Sequence, residues 1–259
     1  KGIATVTRQK YLTASEKGPW ANSYDRWRND NLTNRYQGVQ FGYTSAGRYT
    51  SWNDIWSYPG YKERDILPGD YKYEDWNGDG EINGQDEHPF AFDQTPWLQF
   101  SLNAGLQWKN LDFNMLLQGS ALGSMEYKEP LHEIWGKNGG GALTQFLDRW
   151  HPVDPKADPY DPSTVWTSGH YAYTGRWAKN NSAFNRVSTA YLRLKSIELG
   201  YTFPKLKQIP NASLRIYANA YNLLTFTGVK FVDPEHPDDD LGRMYPLNKT
   251  YTLGVSLSF

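Results

Sequence analysis

Five oxygen-bearing residues in one short segment follow the spacing of a loop that wraps a hard cation. They occupy positions 1, 3, 5, 7 and 12 of an EF-hand-like loop and are Asp75, Asn77, Asp79, Glu81 and Asp86. Gly80 at position 6 permits the sharp turn, and Glu81 would offer its backbone carbonyl. The pattern predicts Ca²⁺, with Mg²⁺ as second choice, in a structural role that stiffens a long loop. An Asx-rich turn that holds no ion is the open alternative.

Tryptophans in the polar stretches suggest a second kind of chemistry, which is stacking. A flat indole face complements the C–H face of a sugar ring, and it also packs on peptide side chains. The candidate ligand-binding residues are Trp52, Trp56, Trp135, Trp150, Trp166 and Trp177. Packing inside the loops is the alternative for each of them.

Catalytic patterns are not found in the sequence. The five histidines show no metal-ligand spacing, and no Ser/His/Asp set, phosphate loop or well-spaced carboxylate pair is identifiable. The acidic run 238–240, with Asp233 and Glu235, could bind a cation, although such runs are usually solvated loop tips. We therefore expect a protein that is not an enzyme.

Composition narrows the class of protein. The net charge of -1 gives no general affinity for nucleic acid, and the absence of Cys excludes disulfides and Cys-based metal sites. Mean hydropathy is -0.74, and no apolar run approaches the ~20 residues of a spanning helix. Aromatic residues make up 16% of the chain, with 11 Trp and 19 Tyr, as suits membrane-interface girdles and ligand-stacking surfaces.

The last residues alternate without a fault between apolar and small polar side chains. Tyr251, Leu253, Val255, Leu257 and Phe259 share one parity. Such a strand suits a wall between lipid and a watery lumen. The run also resembles the C-terminal assembly signal of outer-membrane β-barrels, whose positions here are Thr252, Gly254, Leu257 and Phe259. A terminal strand of a soluble domain is the alternative on this segment alone.

The same period predicts further strands near 97–108, 111–122, 191–203 and 212–226, with a weaker one within 4–11. The turn at Lys109 and Asn110 predicts a hairpin. In 191–203 the apolar residues are at even positions up to Leu194 and at odd positions from Ile197 onward. A bulge near Lys195 and Ser196 would keep them on one face of the strand.

Short and very long connections alternate along the chain. Residues 12–96, 123–190 and 227–249 are expected to be extracellular loops, because outer-membrane barrels have short periplasmic turns and long outer loops. Six strands cannot close a barrel, for which eight is the usual minimum. We expect the remaining strands to come from an N-terminal portion of the same gene product. The start at Lys1 fits a mature or cleaved segment.

Several segments together resemble the C-terminal part of SusC/RagA-type TonB-dependent outer-membrane transporters. They occur in the family's order and are residues 69–73, 75–80, 190–204, 221–227, 233–235 and 245–246. The resemblance implies an all-β fold, namely the C-terminal portion of a transmembrane antiparallel β-barrel (22-stranded in the family) with long extracellular loops. Residues 1–259 would all belong to that barrel, and the family's plug domain and TonB box are not in this chain.

The resemblance also implies function and partners. The expected function is nutrient import across the outer membrane of a Gram-negative cell, with oligosaccharides or oligopeptides as cargo. The expected partners are a SusD-like surface lipoprotein lid, TonB acting through the N-terminal part, the barrel insertion machinery and the lipid bilayer. A structural barrel subunit without transport is the alternative. A soluble carbohydrate-binding β-sandwich would explain the Trp content but not the terminal signal or the unequal connections.

Overall fold

The computed structural model describes residues 1–14, 32–60, 66–132, 134, 142–173, 181–203, 212–237 and 241–258. Its main feature is an antiparallel sheet of long strands. Six of the described strands form it: β1 (Gly2–Val6), β6 (Leu98–Trp108), β7 (Leu111–Ala121), β12 (Tyr191–Phe203), β13 (Ser213–Thr227) and β14 (Thr250–Ser258). They pair in the order β1-β6-β7-β12-β13-β14. We call this sheet the wall.

The wall confirms the predicted strands and corrects one of them. The strand expected within 4–11 begins and ends earlier, at Gly2–Val6. Its partner is β6, against which Val6 lies opposite Leu98. The hairpin of β6 and β7 turns at Lys109, whose φ of 55° places it in the left-handed region. This conformation is uncommon for a residue with a side chain, and it lets the two strands reverse within two residues.

The wall has one apolar face and one polar face, as the pairing register shows. Leu106 lies opposite Phe113, and Phe113 lies opposite Leu199. Directly opposed residues of antiparallel strands project to the same side, so this row is apolar across three strands. In the adjacent row Asn114 lies opposite Glu198, and it projects to the other side.

Large side chains of the apolar face stay exposed in this chain. Leu253 is 79% exposed, Val255 66% and Leu106 63%. Leu102 of β6 is also exposed, at 46%, and so is not enclosed in a protein core. A continuous apolar face of this extent requires an apolar neighbour. Lipid is such a neighbour for the outer face of a membrane β-barrel.

A bulge in β12 keeps that face continuous. The register against β7 and against β13 shifts between Leu194 and Ser196. Leu194 lies opposite Leu117, and after the extra residue Lys195 it is Ile197 that lies opposite Met115. The change of parity read from the sequence is therefore a bulge at the predicted position.

The remaining described elements are short and lie in the connections. They are β2 (Gln40–Gly42), β3 (Ser45–Arg48), α1 (Trp52–Ser57), β4 (Tyr71–Tyr73), β5 (His88–Ala91), β8 (Ser124–Glu126), β9 (His151–Pro152), β10 (Trp166–Thr167) and β11 (Arg186–Ser188), with 3-10 turns at Gly84–Asp86, Glu129–Leu131 and Thr144–Leu147. The strands pair as β2 with β5, β3 with β4, β8 with β11 and β9 with β10. We call the described residues 32–60, 66–93, 123–132, 142–173, 181–190 and 228–237 the loop layer.

The loop layer has a small aromatic core of its own. Tyr43, Tyr71 and Tyr73 are buried in it together with Ile82 and Ala172, and Phe184 packs against them. The rings of Tyr71 and Phe184 lie 4.8 Å apart. The guanidinium of Arg48 lies 4.5 Å from the centre of the Tyr71 ring and donates a hydrogen bond of 2.7 Å to the Gly69 carbonyl. These contacts order segments that have little regular structure.

No helix in the described part of the chain is both long enough and apolar enough to cross a lipid bilayer.

Candidate functional site

Three of the motifs that carry the family resemblance meet at one charged cluster on the polar face. It consists of Arg193, Lys195, Thr225, Asp233 and Glu235, and we call it the Arg193 cluster. Two nitrogen–oxygen distances of 2.7 and 2.8 Å join one terminal nitrogen of Arg193 to the Asp233 carboxylate. Nε of the same guanidinium donates to the Thr225 hydroxyl at 2.9 Å.

Glu235 completes the cluster by pairing with both cations. The other terminal nitrogen of Arg193 lies 3.1 Å from one carboxylate oxygen of Glu235, and Nζ of Lys195 lies 2.8 Å from the other. The two cations balance the two carboxylates, so the cluster is neutral. The Arg193 side chain is only 2% exposed, which makes its partners obligatory, because an unpaired buried charge is strongly unfavourable.

The local folds of three elements explain how these side chains meet. Arg193 lies before the bulge in β12, and Lys195 is the extra residue of that bulge. Thr225 lies directly opposite Arg193 on β13. Asp233 begins a tight turn in which its carbonyl accepts from the His236 N–H at 2.9 Å and its carboxylate accepts from the Glu235 N–H at 2.9 Å. The cluster thereby fixes the turn after β13 against the wall.

Two cavities flank this turn. The first, which we call the wall cavity, has a volume of about 550 Å³ and lies against β1, β6, β7 and β12, with Pro234, Glu235 and Pro237 on the side of the turn. The second, the loop cavity, measures about 450 Å³ and is lined by Arg193, by β13 residues and by residues within 231–236 and 242–249, including Tyr245 and Lys249. Both volumes fall in the range of small-molecule pockets.

A second ion cluster lies farther along the polar face. Arg215 donates to Asp112 at 3.1 and 2.5 Å and to Glu198 at 2.6 Å. These side chains are 24–29% exposed, so this cluster is more open than the Arg193 cluster. Arg215 lies opposite Thr202 and Ser256, so it faces away from the apolar side.

The predicted cation loop is ordered by hydrogen bonds among its own residues. The Asp75 carboxylate accepts from the N–H groups of Gly78 and Gly80 at 2.7 and 2.8 Å. The Asp79 carboxylate accepts from the Glu81 N–H at 2.9 Å. The Asn77 carbonyl oxygen accepts from the Asp79 N–H at 2.9 Å. The oxygen-bearing side chains therefore turn inward along the loop, as both open interpretations require.

Asp86 closes the loop from within. Its two carboxylate oxygens accept from the N–H groups of Trp76 and Asn83 at 2.9 and 2.8 Å, and the residue is fully buried. Burial raises the pKa of this carboxyl above its usual range, while the backbone donors oppose that rise. In the part of the chain that the structure describes, no three His, Asp or Glu side chains form a metal-binding group. A cation here would thus need amide and carbonyl oxygens as well, and its presence stays a prediction.

The candidate stacking residues separate into different environments. Trp56 in α1 is 69% exposed, with its ring 6.1 Å from that of Trp52. Trp150 is packed on Gly69, where an added Cβ would lie 2.3 Å from the indole. Trp166 packs edge-on against Tyr173 at 5.3 Å. Two of these rings therefore serve loop packing, and Trp56 is the available face.

Trp135 and Trp177 lie outside the described residues, and so does Phe259 of the assembly signal. The other signal residues, Thr252, Gly254 and Leu257, lie in β14. At Gly254 the Tyr217 ring approaches so closely that an added Cβ would lie 2.3 Å from its Cζ. Gly254 thus has a packing role in addition to the predicted one.

A buried histidine lies within the loop layer and was not singled out by the sequence. His132 is 6% exposed, and its ring stacks on Tyr71 with centroids 6.1 Å apart. Its Nε2 makes no hydrogen bond with a described residue. Burial, together with the nearby positive charge of Arg48 and the His170 ring, lowers the pKa of His132 to about 4. The ring is neutral at physiological pH.

The Arg193 cluster was also missed by sequence reasoning, although its residues lie in segments quoted for the family resemblance. The available signal was two cations two positions apart on a strand, and two carboxylates two positions apart 40 residues later. Spacing along the chain does not show that the two pairs face one another.

Comparison with known proteins finds two similar TonB-dependent receptors. It is 28% identical over 211 residues to TonB-dependent receptor P3 of Formosa agariphila, covering 75% of this chain and 19% of that protein. It is 27% identical over 239 residues to TonB-dependent receptor P26 of the same organism, covering 86% and 22%. The chain thus spans about a fifth of the length of these relatives. No protein-family model matches it.

Solved structures of two transporter chains share the fold. The chain superposes on a structure of the RagAB peptide transporter with a TM-score of 0.57 at 21% identity, covering 85% of this chain and 22% of that one. The open-open state of the RagAB peptide importer gives 0.53 at 20% identity, covering 96% and 25%. The fold is therefore that of part of a transporter β-barrel. The resemblance read from the motifs is confirmed, and the chain fits the C-terminal part of a SusC/RagA-type TonB-dependent transporter.

Proposed function

We propose that this chain forms part of an outer-membrane transporter that imports an oligomeric nutrient with energy from TonB. The observation that carries the proposal is the two-faced wall. Its apolar face suits lipid, and its polar face carries two ion clusters and two cavities. The relatives are named as receptors and transporters rather than enzymes, which agrees with the expectation of no catalysis.

Uptake of labelled oligomers by whole cells tests the proposal. Cells that carry the full-length transporter should accumulate label, and accumulation should stop when the gene is deleted or when an uncoupler abolishes TonB energisation. Undiminished uptake in the deletion strain, with an intact outer membrane, would instead favour the structural-subunit alternative.

The cargo is proposed to be an oligosaccharide, because Trp56 presents an open indole face in the loop layer. Oligopeptide is the second candidate, and the structural likeness to proteins named as peptide transporters favours it. Competition for uptake between a pool of uncharged oligosaccharides and a pool of random octapeptides separates the two. The class that displaces the label is the cargo.

The partners follow from the same proposal. A SusD-like lipoprotein would cover the loop layer, and the N-terminal part of the gene product would contact TonB. Copurification of a surface lipoprotein with the tagged full-length transporter tests the first. The terminal signal would be read by the insertion machinery, so deletion of Phe259 should lower outer-membrane abundance; unchanged abundance would show that the terminal strand is only a strand.

We also propose that Ca²⁺, or Mg²⁺ as second choice, stiffens the loop through Asp75, Asn77, Asp79, the Glu81 carbonyl and Asp86. The inward-turned oxygens of this loop support it. Asp79→Asn separates an ion site from a simple Asx turn, because Asn keeps the acceptor for the Glu81 N–H and loses the charge.

Limited proteolysis across residues 70–90 is the measurement for the cation. An ion site predicts faster cleavage after chelation in the wild type and in untreated Asp79→Asn. If neither the chelator nor Asp79→Asn changes cleavage, the loop is an Asx turn without a structural ion.

A further inference from the structure

The wall cavity has a lining that differs from the rest of the polar face. Apart from Glu235, its hydrogen-bonding side chains are uncharged carboxamides and hydroxyls, namely Thr5, Gln99, Ser101, Gln118, Ser120 and Tyr191. Ile3, Leu116 and three prolines supply apolar surface between them. Polar groups that both donate and accept, set in an apolar surround, match a ligand whose own groups do both.

The charged side chain that lines this cavity is already engaged in ion pairs within the protein. Glu235 is the carboxylate in the lining, and it is already paired with Arg193 and Lys195 at 3.1 and 2.8 Å. Of the lining residues given by the structure, none offers a free cation for an acidic ligand. A charged ligand would lose hydration in this cavity without gaining a counter-charge, so the lining favours an uncharged one.

Unused hydrogen-bonding capacity is present as well. Ser120 is 5% exposed, and its hydroxyl makes no hydrogen bond with a described residue. Among the described residues, the hydrogen bond of Gln118 is a long one of 3.5 Å from its amide nitrogen to the Tyr191 hydroxyl. Buried polar groups are usually satisfied, and a ligand or the water it displaces would satisfy these.

The backbone of the cavity wall makes a peptide the weaker choice. Peptides commonly bind by adding a strand to an exposed sheet edge. Strands β6, β7 and β12 are each paired on both sides along the cavity, so their N–H and C=O groups are already used. Recognition by these three strands must come from side chains, which suit sugar hydroxyls better than a peptide backbone.

We propose that the wall cavity is a subsite for one or a few uncharged sugar units of the cargo. This proposal rests on the proposed import function and deepens it. Gln99 on β6 and Gln118 on β7 would bind the sugar hydroxyls. The Arg193 cluster would position the turn that closes the cavity. The apolar residues between them would pack on the C–H surface of the ring.

The test uses the full-length transporter with its lipoprotein in detergent, and a pool of uncharged oligosaccharides as the probe. The variant Gln99→Leu/Gln118→Leu keeps side-chain size and removes both carboxamides. Gln107→Leu is the matched control, because it lies on the same strand and the same face but outside the cavity. Thermal unfolding of each variant in the absence of the probe shows that the fold is retained.

The expected result is at least a tenfold loss of oligosaccharide affinity in the double variant and less than a twofold change in Gln107→Leu. The single variants Gln99→Leu and Gln118→Leu provide the measurement if the double variant fails to fold, with losses of about threefold each. Equal affinity in cavity variants and control would overturn the subsite and leave import standing. Binding of an octapeptide pool that depends on Gln99 and Gln118, without oligosaccharide binding, would overturn the sugar assignment. Failure of wild type to bind either pool would overturn both the subsite and the import function.

Discussion

The wall and the loop layer of this chain are stabilised in different ways. The wall repeats one contact, the cross-strand pair, along strands of up to 15 residues, and its large apolar side chains stay exposed. The loop layer has strands of two to four residues, and it is ordered by a tyrosine core and by individual polar anchors such as Arg48. A repeated pattern tolerates the loss of one member, whereas an anchor that works alone does not.

The Arg193 cluster lies where the two regions meet and provides the sharpest comparison. Arg193 is 2% exposed and fastens a loop to the wall, whereas Arg215 is 29% exposed and joins strands that are already paired. Removing Arg193 leaves two carboxylates without their main partner, which is costly when they are buried. Removing Arg215 leaves its carboxylates near solvent.

The largest expected effect is therefore that of Arg193→Met. We expect a loss of roughly 3 kcal/mol in the stability of the turn at 231–237, against less than about 1 kcal/mol for the matched Arg215→Met. Hydrogen exchange of the His236 N–H, in the full-length protein, directly measures the loss of turn stability in Arg193→Met. Similar losses of stability in the two variants would show that the Arg193 cluster is no more critical than the ion cluster around Arg215.

Acidification should weaken the loop layer and leave the wall unchanged. The folded pKa of His132, about 4, lies below the unfolded value of about 6.5. The free energy of unfolding is therefore at its full value above pH 6.5, where His132 is neutral in both states. It falls as pH drops from 6.5 towards 4, because the unfolded state binds the proton first. The loss should approach about 3 kcal/mol at its limit.

Hydrogen exchange of the Tyr49 N–H, which is bonded to the Asp70 carbonyl, measures that loss between pH 7 and pH 4.5. His132→Phe keeps a ring against Tyr71 but cannot titrate, so it should flatten the dependence. An equal pH dependence in wild type and His132→Phe would assign the effect to other groups.

A close approach within the wall should show a smaller effect. Gly254→Ala places a methyl group against the Tyr217 ring, and overpacking of this kind costs about 1–3 kcal/mol. Gly84→Ala in the loop layer meets open space and serves as control. Thermal unfolding should show the loss in Gly254→Ala and its recovery in Gly254→Ala/Tyr217→Ala. No recovery in the double variant would mean that Gly254 is needed for something other than room for the ring.

The smallest expected effect on stability is that of Trp56→Ala. Its ring is largely exposed, so the unfolding free energy should change by less than about 0.5 kcal/mol. Affinity for oligosaccharide should fall by about 1–2 kcal/mol if the ring stacks on sugar. Unchanged affinity, measured by titration calorimetry, would remove the remaining evidence for a stacking face.

The wall was predictable from sequence because alternate residues of a strand point to opposite faces, so the sequence of each strand shows which of its residues are on the apolar face. The β6–β7 hairpin and even the bulge at Lys195 followed from that period. The Arg193 cluster did not, because Asp233 is 40 residues away and only the fold brings it near. The tyrosine core was hidden for a similar reason, since nothing in 43–73 distinguishes a ring that packs from one that binds ligand.

The bulge at Lys195 also has a consequence for how this strand can change during evolution or engineering. One extra residue shifts the phase of the strand, so every side chain from Ser196 to Phe203 would exchange faces if Lys195 were deleted. Moving the extra residue along the strand would leave both ends of the strand in phase and would turn over only the residues that lie between its old and new positions. Homologous strands should accordingly differ in length here only in pairs, or together with a compensating change in β7.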